Sequence, residues 1–502
     1  MDVLVHGATA GGVVAAVAAA RRGARVVLTD PTTHVGGMVT GGLTRSDVER
    51  QEHVIGGFAR DFFVEVGARY GDEHRWRFEP SAADELLRSW LDVPEIELVP
   101  SWRLADVVGR NGGIDEVVGA DGRSFRATTY VDASYEGDLL AMAGVSHDIG
   151  RDGRDRYGES LAGRIELLPN PHQFLVPVSA VDDDGALLPG IHAYDEIGDT
   201  GQGDGKLQSY CYRMCLTDDP DLRVDIPAPE GYDPATFELA RRYLDALGED
   251  ATLRHFMGIG AVPNAKADIN SGGPVSTSLL GGSFDYPRAD AQRRREIERA
   301  HRDWAQGLLY FLGNDPSVPP VVRRQMAAYG LPGDEFVDND HWPPQLYVRD
   351  ARRMRGEFVL TQHDLQGRTG PVDDAIGMGG YNIDIREVQW VAAPVYRFPD
   401  VFPEAMTEGY LSVPVDPYPI PYRTMLPRPD ECTNLLVSAC VSASHVAFAS
   451  FRMEPQFMIA GQAAGTAAAL ASGIDGRVHD VDVSELQRCL REDGQILEAR
   501  GA

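Results

Sequence analysis

The sequence predicts an α/β fold in which a parallel-sheet domain is divided between the two ends of the chain, with an α+β domain inserted between its parts. Three observations predict it. Residues 2–30 run strand, glycine-rich turn, small-residue helix, strand and acid. Residues 98–131 hold three short apolar runs separated by turn signals. Residues 434–470 return a buried strand and a second small-residue helix.

The first element is the β-branched run Val3 to Val5, which meets Gly7-Ala8-Thr9-Ala10-Gly11-Gly12. A helix follows from Val13 to Arg22, rich in alanine, and a second apolar run from Arg25 ends on Asp30. This is the order of a Rossmann-like, dinucleotide-binding βαβ unit. Its glycines make the tight turn, the helix N-terminus faces a pyrophosphate, and the acid faces ribose hydroxyls. Thr9 stands where the G-x-G-x-x-G pattern has its middle glycine, so strand, helix and acid carry the assignment.

Next come a helix from Ser81 to Leu91 and the runs Leu98–Val108, Ile114–Gly119 and Ser124–Val131. Asn111-Gly-Gly and Asp121-Gly-Arg are turn signals between them, so the three runs read as a meander. Beyond residue 150, Gly-, Pro- and Asp-rich stretches alternate with polar helices such as Ala289–Leu312. The expected organisation is 1–150 for the first part of the nucleotide domain, 151–420 for the inserted substrate domain, and 421–502 for the second part. The second part holds the strand from Asn434 and the helix from about Met453 to Leu470.

Composition narrows the functional class. A net charge of −29 argues against nucleic-acid binding, which needs a basic face. No apolar run reaches the roughly 20 residues that span a bilayer. Five cysteines without a C-x-x-C give neither a disulfide framework nor a metal site. The first strand begins at residue 2, leaving no room for a signal segment, so the expected location is cytoplasmic. Of 47 basic residues only Lys206 and Lys266 are lysines. Lysine is a compact, tunable point charge and arginine a planar fork, so a surviving lysine marks a place where arginine does not serve, or is retained by chance at the surface.

Taken together, these segments resemble the bacterial FAD-dependent oxidoreductase family, within the glutathione-reductase-like flavoproteins. The resemblance covers nearly the whole chain. It rests on Val5 to Gly12, His34-Val-Gly36-Gly37-Met38, Asp132 to Asp138, Gln208 to Arg213 and Asp268-Ile-Asn270. Further matches are His341-Trp-Pro, Leu346 to Met354, Ile420 to Arg423, Ser442 to His445, Arg452-Met-Glu454-Pro and Gly461 to Gly465. It implies a glutathione-reductase-like FAD-binding domain with a three-stranded meander, and FAD as cofactor. Gly7, Thr9, Ala10, Gly11 and Gly12 would cradle the pyrophosphate, with Asp30 on the adenosine ribose. Gly36, Gly37 and Met38 would pass close to the flavin, with Asp132 beside the cofactor. The helix of Gly461, Gln462 and Gly465 would point its N-terminus at the isoalloxazine, and Leu104 and Glu454 complete the cofactor set. His34 is a candidate for covalent attachment. Relatives place glutamate at the Asp30 position, and a Ser-His pair where this chain has Ile385 and Arg386.

The implied chemistry is dehydrogenation of a C–OH or C–N centre in a small polar substrate such as a sugar, polyol or secondary metabolite. Hydride goes to flavin N5, and a base takes the proton. His445, in the loop after the last strand, is the first candidate base, the other reading being a histidine that braces the loop. His341 is the second candidate, beside Trp342 and Pro343, and Asp384 is a base or substrate anchor. Arg386, a permanent cation, suits an anionic substrate. Lys206 is a candidate catalytic group, and Arg423 with Tyr422 lies where substrate contacts are common. Arg349, Arg352, Arg353 and Arg355 have helical spacing and serve as anion contacts or buried ion pairs. No second βαβ motif for NAD(P)H appears, so electrons are expected to leave to oxygen or an external acceptor. Rival readings are a flavoprotein monooxygenase, and a lyase or hydrolase with structural FAD. A monomer or a homodimer fits equally.

Overall fold

β1 (Val3–His6) is a four-residue strand with every side chain buried, as expected for a strand covered on both faces. α1 (Ala10–Arg21) follows, then β2 (Val26–Thr29) and β3 (Ile96–Val99). β4 (Leu104–Arg110), β5 (Gly113–Gly119) and β6 (Ser124–Phe125) make an antiparallel meander, and β7 (Thr129–Asp132) returns to the parallel sheet. That sheet is completed by the strand Leu435–Val437 from the far end of the sequence, in the order Leu435–Val437, β7, β1, β2, β3, with all neighbours parallel. The computed structural model describes residues 1–71, 76–397 and 399–499.

The chain divides into two compact units. Unit 1 comprises 1–149, 350–384 and 413–502, and unit 2 comprises 150–349 and 385–412. The stretches 350–384 and 413–420, read from the sequence as part of the inserted domain, thus belong to unit 1.

In unit 1, α1 and the helix Glu454–Ser472 lie against each other, and both are apolar around almost their whole circumference. Such helices are buried rather than amphipathic. Beneath the meander, Trp102, Leu104, Val117 and Tyr130 share one buried cluster with Leu4 and Val27. Two runs read as single strands are each divided. Leu98 and Val99 close β3 while Leu104 opens β4, and Ser124–Phe125 pairs with β5 while Thr129–Asp132 pairs with β1. Ser101, at φ 55°, and Trp102 make the corner that lets one apolar run serve two sheets. The arginine cluster is not helical. Arg353 and Met354 form a two-residue antiparallel bridge to His147 and Asp148, and Arg352 donates to Asp138 Oδ1 and the Glu136 carbonyl at 2.8 Å each.

In unit 2, the strands Met214–Thr217, Lys266–Ser271 and Met257–Val262 form an antiparallel sheet. A long hairpin, Gln389–Arg397 with Asp400–Glu408, takes Ile191–Ala193 as a parallel third strand. The helix expected over 289–312 runs from Ala291 to Asn314, started by Asp290, whose side chain accepts the Arg293 amide. Lys266 has a fully buried side chain held between Asp334 Oδ2 (2.9 Å) and Glu335 Oε1 (2.8 Å), a site for a compact cation. Among the described residues no helix is long and apolar enough to cross a membrane, and no group of three His, Cys, Asp or Glu could hold a metal.

Candidate functional site

The site in unit 1 is built where β1 and β2 end. Gly7 has φ +97°, and a side chain there would strike the Ser134 backbone, with its Cβ 2.7 Å from the nitrogen. A Cβ at Gly12 would collide with the Gly7 carbonyl, so the turn and the close start of α1 each require a glycine. Thr9 caps α1. Its Oγ1 accepts the Gly12 amide (3.1 Å) and donates to the Ala133 carbonyl (2.9 Å) at the end of β7. The side chain is therefore turned into the protein, which is how threonine is tolerated where the pattern has glycine. The amides of Ala10 and Gly11 head the helix without intrahelical partners, as any first turn must.

Asp30 closes the neighbouring strand. Its Oδ2 accepts the Ala8 amide (2.8 Å), and its Oδ1 accepts the Thr32 amide (2.8 Å) and hydroxyl (2.7 Å). The loop carrying Gly36, Gly37 and Met38 crosses the same turn, with the Gly36 amide donating to the Ala8 carbonyl (2.7 Å). Gly36 (φ +95°) and Gly37 (φ +55°) bend it, and a side chain on Gly37 would run into the Tyr135 hydroxyl. That hydroxyl accepts the Met38 amide (3.0 Å) and donates to Glu454 Oε1 (2.7 Å). Burial pushes the Glu454 carboxyl up to about 8 against the opposing pull of the Tyr135 hydrogen bond. The His34 ring lies within hydrogen-bond distance of the Gly37 carbonyl (3.0 Å) and Thr40 Oγ1 (2.9 Å), and burial lowers its pKa.

The residues from Gly7 to Gly12, Asp30, Gly36, Gly37, Met38 and Glu454 thus form one constellation. Other predicted cofactor residues are engaged by the protein itself. Asp132 is wholly buried opposite His6. Its Oδ1 accepts the Ser134 amide and hydroxyl, its Oδ2 accepts the Leu140 amide, and burial raises its pKa. Gly461 and Gly465 face α1 backbone, where a Cβ would meet the carbonyls of Gly11 and Ala15. Gln462 Oε1 accepts the Phe58 amide (3.2 Å) and Gln495 Nε2 (3.0 Å). Leu104 lies in the apolar cluster under the meander.

The candidate catalytic residues are distributed over both units. In unit 1, His445 opens the short helix His445–Phe451, with Nε2 3.3 Å from Asp350 Oδ2, and both side chains are buried. Asp384 Oδ2 accepts Arg452 Nη2 at 2.9 Å, and Arg423 Nη1 lies 3.1 Å from Asp374 Oδ1. In unit 2, Lys206 Nζ donates to Gln389 Oε1 (2.8 Å), and burial lowers its pKa. Arg386 donates to Ser271 Oγ (2.7 Å) and lies 3.5 Å from Glu387 Oε2, so its charge already faces a carboxylate. His341 has its Nδ1 3.1 Å from the Glu335 carbonyl.

Three functional-looking groups escaped the sequence reading. Tyr135 and Asp350 act through partners more than 300 and 90 residues away, which no local pattern encodes. The third is His172 with Glu387, Nδ1 to Oε1 at 2.8 Å, with the ring against Tyr410. Burial pushes Glu387 up, but the Arg386 guanidinium and the His172 ring outweigh it and hold the carboxyl at about 2. His172 sits in a Pro- and Asn-rich loop without periodicity, so its only signal was the neighbouring Arg386-Glu387 pair.

The family model described as FAD dependent oxidoreductase matches residues 2–490. A comparison with curated proteins returned no match. Among solved structures, AlpK is 18% identical, covering 36% of this chain and 40% of that one, with a TM-score of 0.24. A thioredoxin reductase from T. acidophilum is 20% identical over 26% of this chain and 34% of that one, at a TM-score of 0.18. THI4 from Thermovibrio ammonificans is 18% identical over 30% and 64%, at 0.23. The chain therefore spans between 34% and 64% of the length of these solved proteins.

Proposed function

Because the chain belongs to the FAD dependent oxidoreductase family, with FAD as its cofactor, we propose that it dehydrogenates a C–OH or C–N centre of a small polar substrate. FAD, when bound, supplies the hydride-accepting centre. The observation that carries the reading is the constellation of Gly7, Gly12, Asp30, Gly36 and Gly37 at the ends of two adjacent parallel strands, where such sheets bind nucleotides.

The residues present fit that cofactor. The glycines at 7, 36 and 37 let the turn and the crossing loop pack directly against Ser134, Thr40 and Tyr135, which shapes the backbone at the head of α1, and the first-turn amides of α1 suit a diphosphate. Asp30 suits ribose hydroxyls, with its Oδ1 and Oδ2 already oriented by Thr32 and Ala8. Asp132 acts one step back, holding the loop of Ser134 and Tyr135 in place. Gly461 brings the helix of Glu454 against the first turn of α1.

For the proton, His445 is the acceptor, with Asp350 fixing its ring and stabilising the imidazolium formed. In the same unit as His445, Asp384 and Arg423 serve as substrate-orienting groups. Electrons leave to oxygen or to an external acceptor.

The test is the absorbance spectrum of the purified protein, followed by anaerobic addition of sugars, polyols and amines. Bleaching of the flavin band by one of these, lost in His445→Asn with FAD still bound, supports the proposal. Flavin that bleaches only with NAD(P)H, followed by oxygen insertion into a substrate, would overturn it in favour of a monooxygenase.

A further inference from the structure

Glu454 is the first residue of its helix and is 4% exposed, yet among the described residues only one of its carboxyl oxygens has a partner. Oε1 accepts the Tyr135 hydroxyl at 2.7 Å, while that hydroxyl oxygen accepts the Met38 amide at 3.0 Å. A tyrosine has one hydroxyl proton, and here it points at Oε1, which fixes Oε1 as the acceptor side of the carboxyl. Oε2 is buried with no hydrogen-bond partner among the described residues. An ionised carboxylate in that position would be a buried charge with half its lone pairs unmet. A neutral carboxyl carries its proton on Oε2, and that donor has no acceptor among the described residues.

The orphan lies where three pieces of the cradle converge. Tyr135 joins it to the Gly36–Met38 loop. Phe457, three residues along the same helix, lies against Gly11, so that a Cβ there would sit 2.7 Å from the Phe457 carbonyl oxygen. The loop is itself bonded to Ala8 at the head of α1.

We propose that Glu454 binds FAD as a neutral carboxyl, its Oε2–H donating to an acceptor atom of the cofactor, so that FAD retention is linked to one proton. This rests on the reading that the constellation around α1 holds FAD. Deprotonation removes the donor and sets a negative charge beside an anionic cofactor. Arg452 is held by Asp384, and His34 is kept neutral in this range by burial. Burial raises Asp132 as well, but its titration would persist in Glu454→Gln, so that variant separates the two groups. The pKa of about 8 puts the change within reach of a stable protein.

The experiment is the FAD dissociation constant of the full chain from pH 6 to 9, read by flavin fluorescence, with proton uptake measured calorimetrically in two buffers of different ionisation enthalpy. In the parent, affinity is flat to about pH 7.5 and then weakens, approaching tenfold per pH unit above about 8, with uptake approaching one proton per FAD bound at pH 9. Glu454→Gln keeps a donor, binds FAD within about threefold of the parent's neutral-pH value, and loses both effects. Tyr135→Phe removes the hydrogen bond that favours the ionised form and moves the decline to higher pH. Tight binding that is independent of pH, with no proton uptake, overturns this inference alone, as does a Glu454→Gln variant that keeps the parental decline. No FAD binding at any pH overturns the assignment of the cradle as well.

Discussion

Gly461 and Gly465 lie on the same face of one helix, and each looks at a backbone carbonyl of α1. An alanine Cβ at 461 would sit 2.1 Å from the Gly11 oxygen, and one at 465 would sit 2.0 Å from the Ala15 oxygen. Carbon and oxygen need more than 3 Å, so the helices must separate by about 1 Å, and close-packed interiors resist that. Overpacking costs roughly 1–3 kcal/mol, and a main-chain obstacle that cannot rotate away puts these sites at the upper end. Alanine recovers about 1 kcal/mol of helix propensity. Both Gly461→Ala and Gly465→Ala are therefore expected to lose about 2 kcal/mol in urea unfolding followed by tryptophan fluorescence. Cofactor binding separates them. Gly11 is in the first turn of α1 and Ala15 is one turn beyond, so Gly461→Ala is expected to weaken FAD binding about tenfold, or 1.4 kcal/mol. Gly465→Ala should leave FAD binding within about threefold. Either variant unfolding within about 0.5 kcal/mol of the parent would refute the contact argument. Equal losses of FAD affinity would refute the assignment of Gly11 to the cradle.

Thr9→Val deletes the cap on α1 and the tie to Ala133, and is expected to cost about 1–2 kcal/mol in the same unfolding assay, whereas Thr9→Ser stays near the parent. Lys266→Met removes the buried cation held by the Glu335 carboxylate and should cost about 3–5 kcal/mol. Lys266→Arg overpacks the same fully buried site by about 1–3 kcal/mol, while Lys206→Arg, half-buried, stays within about 1 kcal/mol, a contrast that urea midpoints resolve. Glu387 has a folded pKa of about 2 against an ordinary 4.5. Between those values the unfolded chain binds more protons, so the stabilisation is present above pH 4.5 and is lost as pH falls toward 2. The parent should forfeit roughly 3 kcal/mol across that window, and Glu387→Gln, already weaker at neutral pH, should show a flatter acid profile.

The sequence was most legible where one segment settles its own structure. Val3 to Asp30 reads directly as strand, turn, helix, strand, because β-branched runs, glycines and alanines each have a local physical reason for their place. The helix limits at 291–314 and 454–472 fell within a few residues of those expected. Legibility failed where one apolar run serves two sheets, as at Leu98–Val108, since periodicity does not record which strand a residue pairs with. It failed again at Arg349–Arg355, where helical spacing is accidental and the chain is irregular with a two-residue bridge. Among the candidate site residues, Gly7, Gly12 and Gly36 stand out in the sequence because backbone geometry restricts the residue type at each position, and Asp30 because it is the acid that ends the second strand of the unit. Tyr135, Asp350 and His172 were not, because their meaning comes from a distant partner. Gly461 and Gly465 were read as part of a helix aimed at the flavin, and the structure sets each of them against a backbone carbonyl of α1, where two helices cross closely.

The close crossing of α1 with the helix Glu454–Ser472 also sets an order of events during synthesis. The alanine and glycine face of α1 leaves the ribosome about 450 residues before the surface that covers it, an interval of roughly 20 to 90 s at common elongation rates. Throughout that time the first part of the nucleotide domain lacks both its outermost strand, Leu435–Val437, and its covering helix. The cofactor cradle is complete only once the helix Glu454–Ser472 has been made, so a nascent chain has unit 2 available to fold before it can hold a flavin.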